Sequence, residues 1–306
     1  MTALYSFVSA HRRGPFDRLR AGHWSLPFAL CLLAFLVPSG LAAAPGPRAI
    51  DDWANDYLAR REPRGFSAPL TMSEALKLQK EFVKRLQPEM GRPVGYKVGL
   101  VTREAQQKYG VEAPLRGVLL EKMMLSNGSD ISRAFGVHPL IEADLVVVVK
   151  DKGINKAQSI MEVAEHLRDV IAFIELPDAF LPTNPPPTGA LLTAGNVGAR
   201  LGVLGQRIPV VATAAFAKAI GEMTAIITDD SSRELGRGQG KVILDHPFNS
   251  VLWLIEELRR AGEKLKPGDM ISLGSIKALP LPNSKAITVR YEGLPGGPIS
   301  VSVMLH

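Results

Sequence analysis

Apolar residues recur along this chain in two rhythms. Helical spacing marks 51–60 through Trp53, Ala54, Tyr57 and Leu58, and a second segment through Ala75, Leu78, Phe82 and Leu86. Thr71 and Glu74 stand as a capping box before that second segment and predict a helix running to about Leu86. The same signal at Ser159 and Glu162 predicts a helix to about Arg168. A short helix is expected over 102–109, stopped by Gly110, and another from Pro247 to about Arg260, stopped by Gly262. Strand patterning marks 94–100, 141–149, 170–175 and 223–228, the last followed by a turn at 229–231 that predicts a hairpin. Four consecutive valines close 141–149, so that strand is expected to be buried on both faces. Further strands near 270–273, 286–291 and 299–304 follow one another without helices between them. This arrangement predicts an α+β fold with an antiparallel or mixed sheet, not a doubly wound one.

The N-terminus has a different character. Arg12, Arg13, Arg18 and Arg20 precede an unbroken apolar stretch at 26–37, which Pro38-Ser39-Gly40 ends and Ala42-Ala43-Ala44 follows. That order is a secretory signal, with cleavage expected near Ala44 and a periplasmic or secreted mature chain. An uncleaved membrane anchor is the alternative, although spanning takes ~20 apolar residues. After cleavage no stable membrane insertion is expected. The chain of 306 residues carries a formal charge of +6, and half of it sits in 1–44, where four Arg face one Asp. The remainder has no basic run or basic–aromatic stripe, so a nucleic-acid partner is excluded. Cys31, within the apolar stretch, is the only cysteine. The mature chain therefore has no disulfide framework, no Cys-ligated zinc and no cysteine nucleophile.

Candidate chemistry begins with carboxylates in apolar strands. Glu142 and Asp144 are two apart, so they share one face, and Val146 and Val148 continue it. An exposed, ordinary face is the competing reading, and those valines argue against it. Glu175 ends the second apolar strand, VIAFIE. Buried carboxylates need a partner or a cation. With no Cys and no nearby His pair, three such groups suit Mg²⁺ or Mn²⁺. Lys97 lies between Gly95 and Gly99, glycines that suggest close backbone approach. It is either an acid–base group with a depressed pKa or a solvated lysine on an edge strand. Gly236-x-Gly238-x-Gly240 lacks the context of a dinucleotide fingerprint and reads as a loop over a site or a turn. His138 and His246 each precede a proline. A structural role is the default for both, and His246 is the better functional candidate.

Several of these segments carry a resemblance. GYKVGL at 95–100, Gln106-Gln107 and Gly110-Val111 resemble a GRKVGL…QQ…GV segment of the 2-keto-4-pentenoate hydratases and 4-oxalocrotonate decarboxylases, in the fumarylacetoacetate hydrolase superfamily. HPLIEADLVVVV resembles that family's PxIEAEIAxVL strand, FIELPD its ALEIVDSR strand, and 236–275 its long GxG…LGHPLNAxxWLA…GDxILTG block. The resemblance implies a mixed β-sheet roll with flanking helices, a helical region over 45–92 and a catalytic domain over 93–306. It places Glu142, Asp144 and Glu175 on the family's metal carboxylates, Lys97 and His246 on catalytic positions, and Asn196 and Ser275 on substrate-binding ones.

The implied activity is that of a Mg²⁺- or Mn²⁺-dependent hydratase acting on a small 2-keto acid, in a homo-oligomer. A related decarboxylase, an acylpyruvate C–C hydrolase and a catalytically silent exported binding protein are the alternatives. Lys122, Phe180, Gly195 and Leu273 depart from the family pattern. The departures at Phe180 and Leu273 are expected to make the substrate pocket less polar.

Overall fold

The computed structural model describes residues 46–306 apart from 67 and 185. The apolar stretch at 26–37, Cys31 and the cleavage signal at 42–44 lie outside the described residues. Helices α1 (Pro47–Ala59) and α2 (Met72–Met90) come first, followed by β1 (Pro93–Gly99), α3 (Arg103–Lys108), β2 (Leu115–Leu120), β3 (Met124–Ser126) and β4 (Asp130–Ile131). The middle of the chain forms β5 (Leu140–Val149), α4 (Ile160–Glu165), β6 (Leu167–Leu176), α5 (Gly189–Ala194), β7 (Leu201–Pro209), α6 (Ala214–Glu222) and β8 (Thr224–Asp229). It closes with β9 (Glu234–Gln239), α7 (Pro247–Arg260), β10 (Met270–Ser272), β11 (Lys277–Pro280), β12 (Ala286–Glu292) and β13 (Ile299–Leu305). Among the described residues no helix is long and apolar enough to cross a membrane.

The fold is α+β, as the pattern predicts: a curled mixed sheet flanked by helices. One sheet runs β2-β1-β10-β5-β6-β7-β3, with β11 also paired to β5, and the other runs β4-β13-β12-β8-β9. The β1–β10, β3–β7 and β4–β13 pairs are parallel, and the β5–β6 pair at the centre is antiparallel. Alternation along β5 and β6 divides their side chains between two faces. Leu145, Val147, Ala172 and Ile174 enter the main core, which extends to the second sheet and to Phe248 and Leu254 of α7. Val146, Val148, Ile171 and Phe173 form a small cluster on the other face, so both faces are covered.

Local signals place most helix starts. The Thr71–Glu74 box forms, and Thr102 and Ser159 each accept a hydrogen bond from the N–H three residues on. The helix begun at Ser159 nevertheless ends at Glu165, short of Arg168. Leu167 already pairs with Val149, so the ladder of the central sheet takes the chain before another helical turn can form. Gly236 and Gly238 also differ from expectation. They lie in β9, paired in register with Ile227 and Ala225 of β8, because the hairpin continues past its turn. Strands β2 and β7 and helices α5 and α6 have no counterpart in the sequence pattern.

A separate apolar core lies under α1 and α2. Trp53, Tyr57 and Phe82 meet Phe180 there, with ring centroids 5.7, 5.5 and 6.0 Å from it. The departure at Phe180 is thereby explained: its side chain packs into this core and does not line the cavity described below. Leu273 is likewise fully buried in the main core, so neither residue tunes the polarity of that cavity. Phe180→Ala should destabilise the fold by about 3–5 kcal/mol, the usual cost of emptying a buried aromatic site. Urea unfolding measures this, and a loss under about 1 kcal/mol would mean that the aromatic cluster does not tie α1 and α2 to the sheet.

Candidate active site

A cavity of about 510 Å³ opens where the starts of β5 and β11 meet the ends of β1 and β6. Lys97, Glu142, Glu175 and Ser275 all line it. The β5–β6 register sets Glu142 directly opposite Glu175, one residue pair beyond Ala143 and Ile174. On the neighbouring strands Lys97 pairs with Ser272 of β10. At Gly95 a side chain would meet the Met270 carbonyl oxygen at 1.8 Å, so the glycine permits the close β1–β10 approach that sets the lysine's depth.

Lys97 is only 4% exposed and Glu175 only 2%, and the two form a buried ion pair. Burial pulls the Lys97 pKa down, but the Glu175 and Glu142 carboxylates more than offset it and hold the ammonium above its ordinary value. Neither sequence alternative holds: the lysine is buried rather than solvated, on a strand that lies between β2 and β10, and because it faces two carboxylates at once its pKa is raised rather than depressed. Burial pushes Glu142 up to about 8, the charge of Glu175 adding to the effect and Lys97 opposing it. Asp144, fully buried, is also raised, first by burial and then by Glu175.

The three expected metal carboxylates thus sit on adjoining strands, yet they are not equivalent. Glu142 and Glu175 face the cavity, whereas Asp144 is turned into the sheet and is not part of its lining. Asp144 Oδ1 accepts from Leu145 N at 2.6 Å and Gly274 N at 3.0 Å, and Oδ2 accepts from Ser272 Oγ. Three of a carboxylate's roughly four acceptor positions are therefore in use. With Glu175 also bound to Lys97, the described residues contain no group of three or more His, Cys, Asp or Glu arranged to hold a metal ion. The donor chemistry does fit a hard divalent cation. The donors are carboxylate oxygens, a cation would stabilise the charged form that burial disfavours at Glu142, and Glu142 with Glu175 opens onto the cavity. The Ser275 hydroxyl lies on the same wall beside Glu142, where it favours the charged form of that carboxylate.

The other two predicted positions do different work. Asn196 is completely buried, and its amide pairs with one residue of the edge strand β2, accepting from Val118 N at 2.8 Å and donating to Val118 O at 2.9 Å. Both functional ends of the side chain are thus committed to backbone. Asn196, Val197 and Gly198 all have positive φ, at 58°, 54° and 65°. For a β-branched residue such as Val197 this is strained, at about 1–3 kcal/mol. The turn places Val197 and Gly198 in the cavity wall. His246 lies off the cavity lining, as the N-cap of α7. Its Nδ1 accepts from Phe248 N at 3.1 Å and Nε2 lies 2.8 Å from the Ala217 carbonyl oxygen, while burial lowers its pKa. A neutral ring with its proton on Nε2 satisfies both contacts.

Two supporting residues escape the sequence pattern. Asp178 accepts from Val137 N at 2.9 Å and His138 N at 2.7 Å, fixing the turn that delivers β5 to the site. Its Pro177-Asp178 setting directly after a strand is a turn signal that could have revealed it. Tyr291 of β12 donates to the carbonyls of Phe173, at 2.7 Å, and of Asp144, which oppose each other across β5 and β6. No local signal marks that contact, since it joins residues 147 apart in the chain. Asn196→Ala should cost about 2–4 kcal/mol by stranding the N–H and C=O of Val118. A thermal or urea midpoint equivalent to that of wild type would show that the amide does not anchor the strained turn.

No family profile matches the chain. Over 226 residues it is 26% identical to 4-oxalocrotonate decarboxylase of Pseudomonas putida, covering 74% of this chain and 83% of that protein. It is 28% identical over 228 residues to 2-oxo-hept-4-ene-1,7-dioate hydratase of Escherichia coli, covering 73% of this chain and 83% of that one. A solved structure of 4-oxalocrotonate decarboxylase from Pseudomonas putida G7, complexed with magnesium and adipate, superposes with a TM-score of 0.74 at 24% identity. The match covers 85% of this chain and 97% of that one. Alignment along most of both chains, together with a shared fold, makes this chain similar to the 2-keto-4-pentenoate hydratases and 4-oxalocrotonate decarboxylases of the fumarylacetoacetate hydrolase superfamily.

Proposed function

We propose that the chain is a lyase acting on small 2-keto acids, with decarboxylation as its leading reaction. The observation that carries this reading is the buried Lys97–Glu175 pair beside Glu142 in the wall of a ligand-sized cavity. Decarboxylation takes precedence over the water addition expected from the sequence because the relatives that align along the chain and share its fold include 4-oxalocrotonate decarboxylases. The relatives also include hydratases, and the two reactions share one chemical need: stabilising negative charge as it builds on the keto oxygen.

Glu142 and Glu175 would hold the divalent cation, with Asp144 adding charge behind them, and the ion would supply Lewis-acid polarisation of the keto group. The remaining chemistry belongs to the chain. Lys97, held charged by Glu175, is a proton donor rather than a base. As the bond to the departing CO₂ breaks, its electron pair moves into the conjugated chain, and Lys97 Nζ returns a proton to carbon. The Ser275 hydroxyl can donate to the substrate carboxylate. Leu100, Leu140, Val197 and Ile276 give the cavity apolar walls that limit water access. Lys122, Phe180, Gly195 and Leu273 all lie outside the cavity lining. That placement favours an active enzyme over a silent binding protein.

Lys97→Ala should lower turnover about 10²–10⁴-fold, the range for loss of a general acid. A substrate panel of 2-keto mono- and diacids with Mg²⁺ or Mn²⁺ tests the reading, and a wild-type protein inert towards all of them would overturn it. Glu142→Gln should weaken Mg²⁺ binding by at least the roughly 10–100-fold that loss of an outer-shell partner costs. Calorimetry giving equal affinities for the variant and wild type would remove Glu142 from the metal site.

A further inference from the structure

The turn at 196–198 is held at both ends. Asn196 fastens its start to Val118 of β2, and at its end the Gly198 carbonyl oxygen accepts from Asp178 N at 3.0 Å. Between them stands Val197, a β-branched residue at a φ of 54° and only 5% exposed. Left-handed backbone favours glycine, and a valine persists there only where its surroundings over-determine the conformation.

The valine rests on a strip of missing side chains. Lys97 of β1 lies directly opposite Gly117 of β2, and Gly99 follows two residues along β1, so the three positions share one face of the sheet. A side chain at Gly99 would meet Val197 Cγ1 at 2.6 Å. One at Gly117 would meet the Asn196 carbonyl oxygen at 2.7 Å and Lys97 Cγ at 2.8 Å. The two glycines thus make a flat seat on which the turn and the lysine stem lie side by side.

We propose that this turn is a clamp for Lys97. Val197 over Gly99 and the Asn196 carbonyl over Gly117 fill the side of the seat into which the lysine stem would swing, and so keep its ammonium on Glu175 at the cavity wall. Val197 is then a positioning residue. It acts through the lysine, whose flexible stem has no rigidity of its own, and its strained backbone is retained because the isopropyl group must reach Gly99. The catalytic consequence rests on the reading that Lys97 delivers the proton.

The test measures the protection of the lysine and turnover separately. Acetylation of Lys97 by an N-hydroxysuccinimide ester, read by peptide mass spectrometry on the full chain, needs no activity. Val197→Gly suits the left-handed backbone and removes the isopropyl group. It should raise Lys97 acetylation about tenfold, equivalent to about 1.4 kcal/mol of lost holding. It should lower kcat about 10²-fold with KM little changed, the cost of a misplaced reacting group. Its urea midpoint should move little, because release of strain offsets lost packing; a merely structural valine would lower the midpoint and leave Lys97 protected. Gly99→Ala should act alike by pushing the turn off β1. The double variant Gly99→Ala/Val197→Gly, which returns a methyl group to the gap, should recover most of both properties. Where Gly99→Ala fails to fold, Val197→Gly decides alone. Unchanged protection in Val197→Gly, free acetylation of Lys97 in wild type, a double variant no better than Gly99→Ala, or a wild-type kcat in a variant that has lost protection each overturns the proposal. Protection lost and recovered as expected, in a protein inert towards every keto acid, supports the clamp and sinks the lyase reading alone.

Discussion

Burying an ammonium and a carboxylate inside an apolar sheet costs several kcal/mol per ion before their attraction is counted, so such a pair survives only where its surroundings hold it closely. Lys97 and Glu175 meet that condition through four strands. β1 carries the lysine alongside β10, β6 carries the glutamate, and β5 lies between β10 and β6, with Glu142 opposite Glu175. The register is decisive. A slip of one residue along β5 would turn Glu142 and Asp144 onto the face now filled by Leu145 and Val147. Burial on both faces of β5 and β6 makes that slip prohibitive, so the apolar packing of the sheet is also what aligns its charges.

Around this centre, polar side chains hold backbone in place. Tyr291 joins the second sheet to the β5–β6 pair directly behind the carboxylates. Asp178 anchors the turn entering β5, and Asn196 anchors a left-handed turn to the edge of β2. Each is buried and hydrogen-bonded, as buried polar groups must be. The strain at Val197 is sustained by these contacts and shapes the cavity wall. The second core, where Phe180 stacks on Phe82, keeps α1 and α2 against the same side of the fold.

Similarity to relatives that carry out several reactions does not select one of them; the site must do so. Here Lys97 is stabilised in its charged form, the Ser275 hydroxyl lies beside Glu142, and two carboxylates open onto the cavity. These features suit charge stabilisation followed by proton delivery. The positions that depart from the family pattern lie in cores or on the surface, where they alter packing and leave the lining of the cavity to other residues.

Much of this was legible in one dimension. Capping pairs such as Thr71–Glu74 place helix starts because they act over three residues. The E-x-D spacing in an apolar strand identifies carboxylates on one face because strand geometry repeats every two residues. These signals are local, and they suffice for the fold class and for setting Glu142 and Asp144 on one face; it was the family resemblance, not spacing, that put Lys97 beside Glu175. Contacts between distant segments decided the rest. Asn196 and His246 fall on family positions, yet tertiary packing turns one towards Val118 and the other towards Ala217. Asp144 carries the charge of a ligand but is taken up by Ser272 and Gly274, 128 and 130 residues away. A residue type and its spacing specify what a side chain can donate or accept; which partner it meets depends on the packing of strands far apart in the chain, and only the folded structure determines that.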